Sequence, residues 1–234
     1  MIRKSRNSVS CPRNSRNSNS SLPSLVLVGA GGHAMVLLDI IRGLGLAVHG
    51  VIDRRKPAAG AFQDLPWLGG DTALVGTDPA TLALVNGIGS VASVARRREV
   101  FERFKTLGFS FATLVHPSAV IAADVELGEG VQIMAGAILQ PGVRLGADTI
   151  VNTRAAIDHQ CVIGAHVHVA PGVTLSGEVT VEDSVHIGTG ATVIQGRHLG
   201  TGCLVGAGAV VVRDVPAGVT VLGVPARVVG AAKG

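Results

Sequence analysis

Ile121-Ala122-Ala123-Asp124-Val125-Glu126-Leu127-Gly128-Glu129-Gly130-Val131-Gln132-Ile133 opens a stretch in which every sixth residue is aliphatic. The series continues through Leu139, Leu145, Val151, Ile157, Ile163, Val169, Leu175, Val181, Ile187, Val193, Leu199 and Val205 to Val211, sixteen matches without a slip. A helix needs apolar residues at spacings of three and four, and an ordinary half-buried strand at two. A strict six is the hexapeptide period of a β-helix.

A second register supports this geometry. The residue four after each aliphatic is small or β-branched (Val131, Ala137, Val143, Thr149, Ala155, Cys161 and onward to Ala209), and Arg197 alone breaks the column. With one aliphatic and one small inward residue per hexad, three hexads close a triangular coil. The series predicts about five coils stacked at the ~4.8 Å strand spacing. Gly directly follows the aliphatic at Gly128, Gly146, Gly164, Gly188, Gly200 and Gly206, where a tight corner is expected to need φ > 0.

The 234 residues suffice for two domains with substantial cores. The formal charge of +4 misleads, because five basic residues and no acid lie within residues 1–22; without them the balance is about −1. No basic face for nucleic acid follows. Residues 1–23, rich in Arg-Asn-Ser, lack the apolar centre of a secretory signal and read as a disordered extension. No stretch is long and apolar enough for a membrane span. Cys11, Cys161 and Cys203 have no metal spacing; the latter two sit in the small inward register as core thiols. A reducing cytoplasm suits them.

Residues 24–115 change period. Leu25 to Val28 reads as a buried strand, Gly29-Ala30-Gly31-Gly32 as a turn, His33 to Leu44 as a helix and Ala47 to Ile52 as a second strand ending at Asp53. That is a βαβ unit with a parallel sheet as its setting. Ala83 to Gly89 predicts another strand, Arg96 to Lys105 a helix, and Phe111 to Val115 a strand leading out to His116-Pro117. The fold class is therefore an α/β Rossmann-like lobe followed by a β-helix over residues 116–234. The turn Gly29-x-Gly31-x-x-Ala34 with Asp53 further on fits the dinucleotide fingerprint, but about ninety residues are too few for two mononucleotide halves. A single nucleotide or nucleotide sugar fits better, its phosphates meeting backbone N–H groups and a helix N-terminus. A ligand-free strand-to-helix turn is the plain alternative.

Four histidines cluster in the repeat at His159, His166, His168 and His186. His159 falls between the inward positions Ile157 and Cys161, so its ring is expected to face outward, as a solvated residue or as one that meets a substrate. No Cys or carboxylate stands at a spacing that would complete a zinc site, and no metal is expected.

The unbroken hexads, the Gly29-Ala30-Gly31-Gly32-His33-Ala34 turn, the segment Asn152-Thr153-Arg154-Ala155-Ala156-Ile157-Asp158-His159 and the ending Gly223-Val224-Pro225-Ala226 together resemble the sialic-acid O-acetyltransferase-like sugar acyltransferases. Within that family the chain is most similar to N-acetyltransferases of nucleotide-linked 4-amino-4,6-dideoxysugars, UDP- or GDP-linked, such as those acting on GDP-perosamine. The resemblance implies a homotrimer of left-handed β-helices with acetyl-CoA in the cleft between neighbours. It implies His159 as general base, with His168, Gly177, Thr189 and Ala207 at acetyl-CoA and Gly31, Gly32, His33, Asp53, Arg54, Gly89 and Asn152 at the nucleotide sugar. One departure stands out: the family has an acid directly after the catalytic histidine, and this chain has Gln160, which can orient the ring but supplies no charge. O-acetylation of a sugar hydroxyl, or a non-catalytic nucleotide-binding trimer, are the alternative functions.

Overall fold

The computed structural model describes residues 24–58, 60–70, 72–91 and 93–232. The extension expected over residues 1–23, with Cys11, lies outside the described residues.

The lobe is built on five parallel strands: β1 (Ser24–Val28), β2 (Val48–Ile52), β3 (Trp67–Gly69), β4 (Leu82–Asn86) and β5 (Ser110–Phe111), in the order β3-β2-β1-β4-β5. Helices α1 (Gly32–Gly43) and α2 (Ala95–Thr106) cover its two sides. Alternation along β1 explains the two layers, since successive strand residues point to opposite faces. Leu25 and Leu27 join Leu37, Leu38 and Ile41 of α1, whereas Val26 and Val28 join Val100, Phe101 and Phe104 of α2. The chain order reverses between β1 and β4, and open α/β sheets bind ligands outside the strand ends at such a switch point. Both glycine turns, Gly29–His33 after β1 and Gly87–Ser90 after β4, lie there.

The repeat forms a left-handed, three-faced prism of two-residue strands paired in parallel at intervals of eighteen, as in Ile138↔Ala156 and Leu139↔Ile157. Face one includes Gln132–Ile133, Ile150–Val151, His168–Val169 and His186–Ile187. Face two includes Ile138–Leu139 and Ala156–Ile157, and face three Arg144–Leu145 and Val162–Ile163. Both predicted inward columns fill the interior, from Val131 and Ile133 to Ala209 and Val211. At Arg197 the side chain turns out instead, 3.6 Å from Asp214.

Three sequence expectations need correction. The single exit strand over Phe111 to Val115 is two: Ser110–Phe111 closes the lobe sheet on β4, while Leu114–Val115 pairs with Gln132–Ile133 as the first rung of face one. That rung, with Val219–Leu222 at the other end, extends face one beyond the five coils counted from the hexads. The glycines after the aliphatics are also not the left-handed positions. Positive φ recurs every sixth residue two places later, without a break from Gly130 to Gly208, and six of those corners are not glycine: Asp148, Arg154, Gln160, His166, Glu178 and Ser184. Gly128, Gly146, Gly164, Gly188, Gly200 and Gly206 are needed for room instead. A Cβ on Gly146 would stand 2.5 Å from Ala165 N of the next coil, and one on Gly188 2.6 Å from Ala207 N.

The lobe sits on face one. Its α1 core runs on into Leu114, Met134 and Ile150 of the prism, and Lys105 pairs with Glu129 at 2.8 Å.

Candidate active site

Two clusters carry chemistry. The first is the crevice at the switch point. Gly29 has φ +97, and a Cβ there would meet Ile88 Cδ1 at 2.7 Å; a Cβ on Gly89 would meet His33 Cβ at 2.9 Å. Glycine therefore lets the two turns close on each other. Gly31, by contrast, is the N-cap of α1 with ordinary φ −86 and nothing within 4 Å of a built Cβ, and Gly32 is equally open. No side chain caps the helix start, so its first N–H groups face outward. Both oxygens of Asp53 are used within the turn, accepting from Ala30 N at 2.9 Å and Arg55 N at 3.1 Å. Asp53 thus holds the glycine turn. Arg54 is exposed beside it.

The floor of the crevice comes from the prism. His33 Nε2 lies 2.8 Å from Gln132 Oε1, and Gln132 Nε2 donates to Asn86 O at 2.9 Å. With the amide nitrogen committed to a carbonyl, Oε1 accepts, and His33 carries its proton on Nε2. Burial above all, with the nearby Arg97 charge adding to it, lowers His33 to about 4 against the opposing pull of the Gln132 bond. His168 is buried between Ser90 and Asn152: Ser90 Oγ is 2.5 Å from Nδ1, and Asn152 Nδ2 is 3.1 Å from Nε2. Asn152 Oδ1 accepts from Thr153 N, so its amide nitrogen donates to His168, whose proton is then on Nδ1. Burial above all, with His186, His33 and Arg97 adding to it, lowers His168 to about 3. The ring of His186 meets His168 edge-on at 5.0 Å.

The second cluster is the corner between faces two and three. His159 is half-buried there, and Gly177, one coil on, leaves room for its ring: a Cβ on Gly177 would collide with His159 Cε1 and Nε2. His159 Nδ1 is 3.3 Å from Gln160 Oε1. An amide oxygen only accepts, so this contact puts the proton on Nδ1 and leaves the Nε2 lone pair free. The two buried thiols are no nucleophiles, because burial pushes Cys161 up to about 11 and Cys203 up to about 12. Thr189 and Ala207 are exposed one coil apart on the corner between faces one and two.

A single chain thus brings together Gly31, Gly32, His33, Asp53, Gly89, Asn152 and His168 around the crevice. Gln160 and Gly177 join His159 on one edge of the prism; Thr189 and Ala207 stand on another. Among the described residues, no group of three or more His, Cys, Asp or Glu could hold a metal ion, and no helix is long and apolar enough to cross a membrane. Sequence reasoning missed Asn86, Ser90, Arg97, Gln132 and Asp148. One signal was available: Arg97 lies in phase with Val100, Phe101 and Phe104 on the buried side of α2, where a cation requires partners.

Both halves have known counterparts. Residues 24–104 match the family profile of the PglD N-terminal domain. The acetyltransferase domain of PglB from Neisseria gonorrhoeae FA1090 is 34% identical, with a TM-score of 0.79 over 89% of this chain and 100% of that one. PerB from Caulobacter crescentus, solved in complex with CoA and GDP-perosamine, is 36% identical, with a TM-score of 0.80 over 90% and 99%. The chain belongs to the hexapeptide-repeat sugar acyltransferases. WeeI from Acinetobacter baumannii AYE is 27% identical, with a TM-score of 0.72 over 89% and 100%. No sequence among curated proteins matches the chain. Membership makes the chain an acyltransferase and removes the non-catalytic alternative.

Proposed function

We propose that the protein transfers the acetyl group of acetyl-CoA to the 4-amino group of a nucleotide-diphosphate-linked 4-amino-4,6-dideoxysugar. One observation carries the reading: the likeness to the Caulobacter protein that holds CoA and GDP-perosamine spans both the crevice lobe and the prism. The nucleotide sugar lies in the crevice, its diphosphate against the open backbone at Gly31 and Gly32 and the start of α1, beside Asp53, Arg54 and Gly89.

His159 is the general base. The neutral amine attacks the thioester carbonyl carbon, Nε2 accepts the proton the nitrogen sheds, the C–S bond breaks, and the proton leaves with the CoA thiol. Such assistance is worth ~10²–10⁴-fold. Gln160 fixes the tautomer. Transfer is direct, since the Cys161 and Cys203 thiols are buried in protonated form and, among the described residues, no other nucleophile is paired with His159.

The active unit is a homotrimer in the cytoplasm. Two features support the assembly. The expected acetyl-CoA contacts Gly177 on one edge and Thr189 and Ala207 on another meet only if neighbouring prisms face each other. Face two also exposes Val120 and Ile138, apolar residues that the lobe leaves uncovered.

A panel of UDP-, GDP- and dTDP-linked 4-amino sugars, assayed by thiol release from acetyl-CoA, tests the substrate. One amino sugar should turn over to an amide; preference for the matching 4-hydroxy sugar would instead mean O-transfer. Gly31→Val tests the placement, because the fold has space for the side chain. It should raise the sugar-nucleotide KM roughly tenfold or more, a loss of about 1.4 kcal/mol, with the acetyl-CoA KM unchanged. The reverse pattern would show that the crevice is not the nucleotide site.

A further inference from the structure

Arg97 is 1% exposed, yet it lies on no surface that the reaction above uses. Its Nη1 donates to Asn86 O and to Ile88 O, both at 2.8 Å, and its Nε to Asp148 O at 3.2 Å. Nη2 stands 2.7 Å from Asp148 Oδ1 as an ion-pair contact. Asp148, itself fully buried at a left-handed prism corner, also accepts from Asn86 Nδ2 at 3.0 Å and meets His166 Nδ1 at 3.1 Å. One guanidinium thus grips the carbonyls on both sides of Gly87 and fastens them to the prism.

A buried ion pair is poor evidence for stability, since apolar residues of similar volume often serve as well or better. What the guanidinium supplies instead is a planar fork of donors that fixes its acceptors in direction. The loop it holds has no slack. A Cβ on Gly87 would stand 2.8 Å from Ala34 Cβ and from Val28 O, and Gly89 presses on His33. Any shift of the loop therefore moves Gly89 and Ser90 against the Gly31–His33 turn. That distance is the width of the crevice.

We infer that Arg97, anchored by Asp148, is a positioning residue that sets the crevice for the nucleotide sugar by registering the Gly87–Ser90 loop against the prism. The inference rests on the assignment of the crevice to that substrate. Gln132 acts in the same way on the other wall, joining His33 to Asn86 O.

The test is a split between Michaelis constants in the full-length enzyme. Arg97→Lys keeps the charge but, with one nitrogen in place of three, cannot hold the two carbonyls and Asp148 at once. It should raise the sugar-nucleotide KM roughly tenfold, as expected for losing a buried charge-assisted hydrogen bond, while the acetyl-CoA KM stays within about twofold. Arg97→Met with Asp148→Asn removes both charges; asparagine tolerates the left-handed corner. This double variant should regain thermal stability over Arg97→Met alone and still show the raised sugar-nucleotide KM. Recovery of the KM together with stability, or an equal rise in both KM values, would overturn the inference. If the Arg97 variants fail to fold, Gln132→Met gives the same readout from the other wall, and an unchanged sugar-nucleotide KM there overturns it. Gly31→Val separates the two levels. If it raises the sugar-nucleotide KM and Arg97→Lys does not, only the positioning role falls; if Gly31→Val has no effect, the crevice assignment falls and this inference with it.

Discussion

In the prism, each corner stands eighteen residues from the one stacked on it, and a side chain there is placed by its own hexad and the coils directly above and below. His159 needs only Gly177 and Gln160 to set its ring. In the lobe, every crevice turn is held by something distant in sequence: His33 by Gln132, Asn86 by Asp148, Ser90 by His168. A repeat supplies position locally and many times over. The crevice depends on a few long-range polar contacts, each made once. Damage to a prism corner that projects outward should therefore stop chemistry without loosening the fold, whereas damage to the seam should loosen substrate binding.

The largest effect expected is at His159. His159→Ala removes the base from a corner outside the core, so kcat should fall by ~10²-fold or more, about 2.7 kcal/mol in the barrier. Thermal unfolding and both KM values should barely move. Single-turnover assays across pH would check this, and near-full activity at neutral pH would leave the ring a positional role only.

The same contrast explains what could be read from the sequence. The prism was legible because its period is enforced by sixteen stacked aliphatics, and a slip of one residue would turn every inward side chain outward. His159 was legible because hexad phase alone sends it outward; its place among known sugar acyltransferases came from the resemblance. The lobe's βαβ unit was legible from the apolar run of β1 and its glycine turn. β3 was not, because Trp67–Gly69 is three residues long and half exposed, with no alternation to reveal it. The seam was hidden for a different reason. Gln132 and Asp148 occupy outward and corner positions whose equivalents away from the lobe, such as Ile138, Arg144, Arg154 and Gln160, are exposed, and the contacts with the docked lobe bury them. The glycines misled because a missing Cβ serves two needs, a left-handed φ or a close approach, and composition cannot separate them.

A pair of glycine substitutions sharpens that last point. Gly146→Ala drives a Cβ against the backbone of the next coil, 2.5 Å from Ala165 N, where nothing flexible can yield. It should cost roughly 2 kcal/mol or more, in the range of overpacked cores. Gly172→Ala stands at φ +69 with nothing within 4 Å, so it costs only the left-handed penalty, about 1 kcal/mol. Gly172→Asn should cost less still. Differential scanning calorimetry reads the order, and Gly172→Ala proving the more damaging of the two would reverse the account of which glycines the prism needs.

The seam is tested by pH and not by one substitution alone, and the sign of its response follows from rings held neutral in the fold. His33 and His168 are lowered to about 4 and about 3 in the fold, mainly by burial, against an ordinary value near 6.5. Protonating His168 would set a new N–H at Nε2 against the amide N–H of Asn152, donor against donor. As pH falls below 6.5 the unfolded chain takes up protons that the folded chain refuses, so stability drops until the pH nears the lowered values. The slope approaches 1.4 kcal/mol per pH unit for each histidine, roughly, while both refuse protons. Urea unfolding between pH 7 and 4.5 should therefore show a steady loss, and hydrogen exchange should find it first in the turns after β1 and β4, with the prism core unchanged. His168→Gln removes one of these groups and should make the slope shallower without abolishing it, because His33 remains and His186, also lowered by burial, acts in the same direction. A flat profile over that range, or a loss that begins in the prism, would mean that these rings do not hold the seam closed.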